Sequence, residues 1–225
     1  MTTTFTRARS EEQRDVRRLA ILSAAEELLA GGTRVADLSL NGLARHVGLA
    51  KSNVLRYFES REAVLLALLD REYGAWLDAV EPLLSETDAS APVELVAEVL
   101  ARTVTERPVL AELVANASTV LEHNVSAEVA ADYKRAAYAQ SLRLVQLIEA
   151  RIGELPHASR ITLAATVNLV VGGAWGMCRP SPGMAEAYEK YPELDAMRLD
   201  YRVAVRELVA TVLTGLLTRP ASDRP

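Results

Sequence analysis

The residues best suited to chemistry lie in segment 39–58, which reads SLNGLARHVGLAKSNVLRYF. Lys51, Ser52, Asn53 and Arg56 share this segment with apolar residues at helical spacing. Their side chains are of the types that bond phosphate oxygens and the edges of bases in the major groove. The segment therefore favours contact with a nucleic acid.

Two short helices must position those side chains. Ser39 suits the N-cap of a first helix, Gly48 ends that helix, and Leu49 fills the turn. A second helix is predicted from Lys51 to Phe58, which makes the segment a helix-turn-helix. The start of the second helix of this motif enters the major groove of DNA. The apolar face of the first helix consists of Leu40, Leu43, Ala44 and Val47.

The rest of the chain also has helical periodicity, and no stretch alternates as a half-buried strand would. Proline and glycine divide it into about nine predicted helices, and residues 180–194 are predicted to be irregular with room for one short helix. The fold class is therefore all-α. The predicted helices span about residues 10–30, 40–47, 51–58, 92–106, 108–121, 126–152, 157–179 and 195–218, with a long fourth helix after Ser60.

Charge is unevenly distributed along the 225 residues, whose formal net charge is −5. Residues 1–62 carry a net charge of +2 and residues 63–225 a net charge of −7. A basic head on an acidic body indicates that only the head meets a polyanion. Arginine outnumbers lysine 22 to 3, which is typical of a GC-rich bacterial genome.

The sequence has no signature of catalysis or of metal binding. His46, His123 and His157 are far apart, and the single cysteine, Cys178, excludes an intrachain disulfide and a multi-cysteine zinc site. It has neither a GxSxG elbow nor a P-loop, and no strand precedes the glycines of segment 172–176. No catalytic residue, metal ligand or cofactor is predicted, although an all-helical enzyme that uses unmarked residues stays an alternative.

One segment approaches the length of a membrane span. Residues 161–178 carry no charge and include Gly172 and Gly176 at GxxxG spacing. A span needs ~20 strongly apolar residues, whereas this segment also contains two threonines and Asn168. A buried helix is favoured over a span, and no membrane partner is predicted. Because the first ten residues have no secretory pattern, a cytoplasmic location is expected.

The N-terminal third of the chain, about residues 12–75, resembles the TetR family of transcriptional regulators. The matching stretches are LAILSAAEELLAGG and LSLNGLARHVGLAKSNVLRYFESREAVLLALL. The family pattern has an alanine-rich first helix that ends at glycine and a capped second helix. A glycine turn follows, then a recognition helix ending in Tyr57-Phe58 and a fourth helix starting at Ser60-Arg61-Glu62.

The chain departs from that pattern in three places. The loop from Gly32 to Ser39 is slightly longer than usual, and Ser52 and Asn53 stand where the family commonly has Gly or Thr. Leu55 replaces a tyrosine that often contacts a phosphate, which puts one backbone contact in doubt.

The resemblance implies a ligand-responsive regulator, more often a repressor than an activator. Its helix-turn-helix DNA-binding domain would span residues 10–60, and a helical effector-binding and dimerisation domain residues 61–219. The implied DNA contacts are Lys51, Ser52 and Asn53 to bases or phosphates, Arg56 and Tyr57 to phosphates, Ser39, Arg45 and Arg61 as phosphate clamps, and Arg7 and Arg9 as a flexible arm. Tyr57 either contacts phosphate or packs inside the head, and His46 is an additional candidate.

A homodimer is expected, because two half-sites require two heads at a fixed separation. In the family, the last two long helices of each subunit form an intersubunit bundle. The predicted interface residues on helices 157–179 and 195–218 are Ala164, Ala165, Gly172, Gly176, Val205, Val209, Val212 and Leu216. The alternative for the glycines is tight packing inside one subunit.

The resemblance also implies a small-molecule pocket in the body. Its candidate lining residues, each of a type that is more often plain core or surface than a ligand contact, are Trp76, Asn116, His123, Tyr133, Tyr138, Asn168, Trp175, Met177 and Cys178. The predicted partners are a palindromic double-stranded DNA operator, an effector of unknown identity and a second copy of the chain. A DNA-binding architectural protein without an effector is the alternative, although a body of about 150 residues argues against it.

Overall fold

The computed structural model describes residues 3–86 and 92–218, and the side chains of residues 12–86 and 92–218. All regular elements in these ranges are helical, which confirms the predicted fold class. The chain forms two compact units. The first extends to Arg71 and includes Asn116–Arg135, and the second combines Glu72–Ala115 with the residues from Ala136 onward.

The first unit contains α1 (Thr3–Ala30), α2 (Leu40–Val47), α3 (Lys51–Val54) and the first turns of α4 (Arg61–Ser85). Helix α1 begins before the predicted start at Ser10, because the Arg-Ala-Arg stretch ahead of it favours helix. The apolar core of this unit includes Ile21, Ala25, Val35, Leu38, Leu43, Val54, Val64 and Leu65.

The two compact units divide within α4 and not at the predicted boundary after residue 60. The Arg71 guanidinium donates to a carboxylate oxygen of Glu26 at 2.5 Å and to the Ser23 hydroxyl at 3.3 Å, which ties the first turns of α4 to α1. The 116–135 segment joins the first unit as well. There the N–H of Ser126 donates to Oε1 of Glu59 at 2.6 Å.

The second unit is built around three helices, because α10 packs against both α5 and α8. Trp76 of α4 is buried and donates its indole N–H to the Thr103 hydroxyl at 2.9 Å. The elements that follow α4 are α5 (Val93–Thr105), α6 (Pro108–Asn116), a π-helical turn (Ala117–Leu121), α7 (Ala127–Ile152), α8 (His157–Met177), α9 (Pro182–Lys190), a 3-10 turn (Pro192–Met197) and α10 (Tyr201–Thr218).

Beyond α5, two predicted helix boundaries are wrong. The α-helix predicted to reach residue 121 ends at Asn116 and continues as the π-helical turn. The last helix begins at Tyr201 instead of residue 195, because Pro192 starts a separate 3-10 turn that ends at Met197. The predicted irregular stretch holds α9, which the Ser181 hydroxyl caps.

Among the described helices, none alone has both the length and the apolarity of a membrane span. Helices α8 and α9 reach them only when taken together across a 69° bend. Helix α8 instead buries Leu163, Val167 and Val171, as a helix of a protein core does.

Candidate nucleic-acid interface

The helix-turn-helix begins at a capped helix. The N–H of Gly42 donates to the Ser39 hydroxyl at 3.0 Å, which satisfies one of the free donors at the start of α2. Gly48 ends α2 with φ of 73°, a left-handed conformation that favours glycine. The N–H of Leu49 then donates to the carbonyl of Ala44 at 2.9 Å and closes the turn.

Helix α3 is a single turn, shorter than the predicted helix from Lys51 to Phe58. After Val54 the helical path continues in tighter turns, since the N–H of Arg56 donates to the Asn53 carbonyl and the N–H of Tyr57 to that of Val54. Phe58 also donates back to Val54, at 3.1 Å. We call residues 51–58 the recognition segment.

The recognition segment separates its polar from its apolar residues. Val54 and Phe58 are buried, whereas Lys51, Asn53 and Arg56 are exposed. Ser52 and Leu55 are exposed as well, and Tyr57 is half-buried. Within the described part of the chain, neither Lys51 nor Arg56 forms an ion pair. Both cations are therefore available to an external anion.

Arg18 of α1 holds the end of the recognition segment. Its Nη1 donates to the carbonyl of Tyr57 at 2.7 Å, and its guanidinium lies 4.3 Å from the centroid of the Phe58 ring. The stacked cation and the hydrogen bond fix the turn that carries Arg56 and Tyr57. The sequence analysis did not predict a role for Arg18. The available signal was its helical spacing, which places Arg18 on the apolar face of α1.

The other predicted contact residues differ in how they are engaged. Arg45 is exposed, and the Ser39 hydroxyl already accepts from Gly42. Nε2 of His46 lies 2.7 Å from Oε2 of Glu27, so this ring links α2 to α1. The side chains of Arg7 and Arg9 lie outside the described residues.

Arg61 has a local structural role in this structure. Its guanidinium donates to the carbonyl of Leu38 at 3.0 Å, to the carbonyl of Ala36 at 3.3 Å and to Oε1 of Glu62 at 2.7 Å. These bonds hold the loop before α2, so the predicted phosphate clamp has its donors directed at protein.

A family model described as "Tetracyclin repressor-like, C-terminal domain" matches residues 70–220. The chain belongs to the TetR family. TetR-family regulators bind DNA operators and small-molecule effectors and typically act as dimers.

The chain is similar to one curated TetR-family protein over a short stretch of sequence, and it shares its fold with solved structures over most of its length. The HTH-type transcriptional regulator EthR of Mycobacterium tuberculosis (strain CDC 1551 / Oshkosh) is 49% identical over 57 residues, which cover 25% of this chain and 26% of EthR. The match thus spans about a quarter of that relative.

Two solved structures share the fold over most of the chain. FadR from Bacillus halodurans has a TM-score of 0.55 at 17% identity and covers 88% of this chain and 98% of its own. PfmR from Thermus thermophilus has a TM-score of 0.53 at 17% identity and covers 87% and 98%, respectively.

The predicted pocket residues of the TetR-family body differ in burial and in their partners. His123, Tyr138 and Met177 are exposed. Asn168 donates to the carbonyl of Ala164 in its own helix, and Asn116 is half-buried. Trp76 is committed to Thr103.

Two predicted pocket residues, Trp175 and Cys178, lie at the end of α8. Trp175 meets Tyr201 edge to face at 5.2 Å and donates its indole N–H to Glu112 at 2.8 Å. Burial raises the pKa of the Cys178 thiol, and the nearby Asp200 raises that pKa further.

Tyr133, the remaining pocket candidate, lies in the first unit. Its phenol is partly buried, and burial together with the Glu122 carboxylate raises its pKa to about 12. Among the described residues, no group of three or more His, Cys, Asp or Glu side chains is placed to hold a metal ion.

The structure corrects most of the predicted dimer residues. Ala164, Gly172, Val205, Val209 and Leu216 are buried inside the subunit, so their side chains are covered by their own chain. Helices α8 and α10 pack on neighbours of their own chain with these faces.

Gly172 illustrates the reason for this correction. A Cβ atom there would lie 3.1 Å from both Cα and N of Ala115, so its glycine serves close packing of α8 on α6. Ala165 and Gly176 are exposed and Val212 is half-buried, so these three stay available. The exposed apolar residues of α8 and α10 are Ile161, Leu169, Met177, Val203, Leu208 and Leu217.

Proposed function

We propose that this TetR-family protein is a ligand-responsive transcriptional regulator that binds a palindromic operator as a homodimer. The observation that carries the proposal is the recognition segment, which buries Val54 and Phe58 while it exposes Lys51, Asn53 and Arg56. A short helical element anchored in this way presents its polar face to the major groove.

The proposed DNA contacts are grouped by the part of the DNA that they bind. Lys51, Ser52 and Asn53, at the start of the recognition segment, are assigned to base edges or phosphates. Arg56, Tyr57, Arg45 and Ser39 are assigned to phosphates. Arg7 and Arg9 are proposed as an arm ahead of α1. Arg61 is left out of the contact set because the loop carbonyls and Glu62 occupy its guanidinium.

The proposed dimer uses the exposed faces of α8 and α10. Leu169 is 74% exposed and Met177 68%, so α8 leaves large apolar side chains uncovered within the subunit. A C2 dimer would cover these side chains and present two heads to two half-sites.

The proposed regulation is release of the operator on binding of a small molecule, as in a repressor. FadR from Bacillus subtilis, a structural neighbour with a TM-score of 0.51, is described in complex with stearoyl-CoA, which supports a small-molecule partner for this fold. An effector that prefers the form with poorly spaced heads weakens DNA binding by a coupling energy of about 1–3 kcal/mol. A regulator of this kind acts on chromosomal DNA in the cytoplasm and is not an enzyme.

Selection of genomic fragments by the purified protein tests the proposed function. Wild-type protein should enrich fragments that share one palindrome, and Lys51→Ala/Arg56→Ala should not. Arg102→Ala, which removes one exposed cation of α5, is the control and should enrich the same palindrome. Equal enrichment by wild type and the double variant would contradict the assignment of Lys51 and Arg56 as DNA contacts. No enrichment by wild type would overturn the proposed function.

A further inference from the structure

A cleft of about 810 Å³ lies between α1 and the recognition segment. Of the DNA contacts predicted from the sequence, only Arg56 and Tyr57 line it. Its lining residues are Glu12, Gln13, Arg14, Val16, Arg17, Arg56 and Tyr57.

The cleft concentrates unneutralised positive charge. Arg14, Arg17 and Arg56 are exposed and form no ion pair with another described residue, and Glu12 is the single acid among the lining residues. The local excess is two positive charges in a chain whose net charge is −5. Such an excess attracts a polyanion to this place on the surface.

Neighbouring arginines of the same unit are engaged with protein. Arg18 donates to the Tyr57 carbonyl, Arg61 to Glu62, and Arg71 to Glu26. The three arginines of the cleft differ from these in having no such partner among the described residues, and they lie next to the segment assigned to the major groove.

The two walls of the cleft hold their donors in fixed places. Arg14 and Arg17 are three residues apart on α1, which puts both on one face of that helix. Across the cleft, Arg56 and Tyr57 are held by the bond from Arg18 to the Tyr57 carbonyl. Arginine forks match phosphate oxygens, and tyrosine and glutamine side chains also donate to them.

We propose that this cleft binds the sugar–phosphate backbone of DNA beside the major groove that the recognition segment enters. Arg14 and Arg17 of α1 are its phosphate contacts. The inference rests on the proposed DNA-binding function and extends it from the helix-turn-helix to α1. The cleft therefore contributes to the affinity for DNA and not to sequence specificity, because phosphate contacts carry no information about the bases.

The test compares the salt dependence of DNA binding between Arg14→Gln/Arg17→Gln and wild type. The probes are a fluorescein-labelled 30-base-pair duplex of random sequence and the palindrome recovered by fragment selection. Each lost phosphate contact lowers the slope of log K against log salt by ~0.9, so the double variant should lose about 1.8 for each bound head. Affinity should fall by the same factor for both duplexes.

Arg102→Gln is the control, because it removes an exposed positive charge from α5 in the other unit, and it should keep the wild-type slope. Circular dichroism and the melting temperature establish that each variant is folded. An unchanged slope in the double variant overturns the inference, and the proposed function survives that result if Arg56→Gln still weakens binding. Wild-type protein that binds neither duplex overturns both.

Discussion

The guanidinium of Arg18 donates to the carbonyl of Tyr57 at 2.7 Å and lies 4.3 Å from the Phe58 ring centroid. This contact joins the middle of α1 to the end of the recognition segment, whose α-helix is only Lys51–Val54. One turn of helix has little stability of its own, because helix formation needs a costly nucleus. The position of Arg56 and Tyr57 therefore depends on a residue that faces protein.

Arg18→Met should weaken binding to the selected palindrome about tenfold, because a hydrogen bond from a charged group contributes about 1.5–3 kcal/mol. The salt slope should stay at the wild-type value, since Arg18 positions the segment and touches no phosphate. Arg17→Met is the neighbouring control and should lower that slope. A fall in slope for Arg18→Met would mean that Arg18 itself contacts the backbone.

Leu55→Tyr should strengthen DNA binding. Leu55 is 43% exposed on the recognition segment, at the position where the resemblance to the family pattern implies a phosphate-binding tyrosine. A hydroxyl that donates to a phosphate should raise affinity about tenfold in fluorescence anisotropy. Leu55→Phe supplies the ring without the hydroxyl and should change affinity little. Equal affinities for the Tyr and Phe variants would show that no phosphate lies in reach of this position.

Gly172→Ala should destabilise the subunit. Its new Cβ would lie 3.1 Å from Cα and N of Ala115, and backbone atoms of a packed helix have little room to shift. Gly176→Ala is the matched control in the same helix, because nothing lies within 4 Å of its Cβ position. It should raise the melting temperature by about 2–4 °C through helix propensity. Similar melting temperatures for the two variants would contradict the assigned packing role.

Leu169→Glu should dissociate the proposed dimer. Leu169 is 74% exposed on α8, and a carboxylate buried in an interface is strongly unfavourable. Sedimentation velocity should show a folded monomer with weakened binding to the palindrome. Leu142→Glu, which changes an exposed residue of α7, should remain dimeric. A Leu169→Glu protein that sediments as wild type would place the interface elsewhere.

The local elements of the head could be predicted from the sequence because their causes are local. Ser39 caps α2, Gly48 takes the left-handed conformation, and Val54 and Phe58 are buried as their spacing indicates. Caps, left-handed glycines and apolar spacing act within a few residues, so they are visible in the chain itself. The length of α3 could not be predicted from the sequence, because tight turns replace regular helix after Val54.

Contacts between distant segments required the fold. Arg61 could be expected to reach phosphate, yet loop carbonyls 23 and 25 residues away accept its hydrogen bonds. Gly172 suited a dimer by residue type, yet α6 of the same chain lies against it. Amino-acid periodicity reports that a face is apolar but not which helix covers it. For this chain, the local sequence pattern was enough to identify the helix-turn-helix. Whether an apolar helix face packs inside its own subunit or is left for a partner was decided by long-range packing.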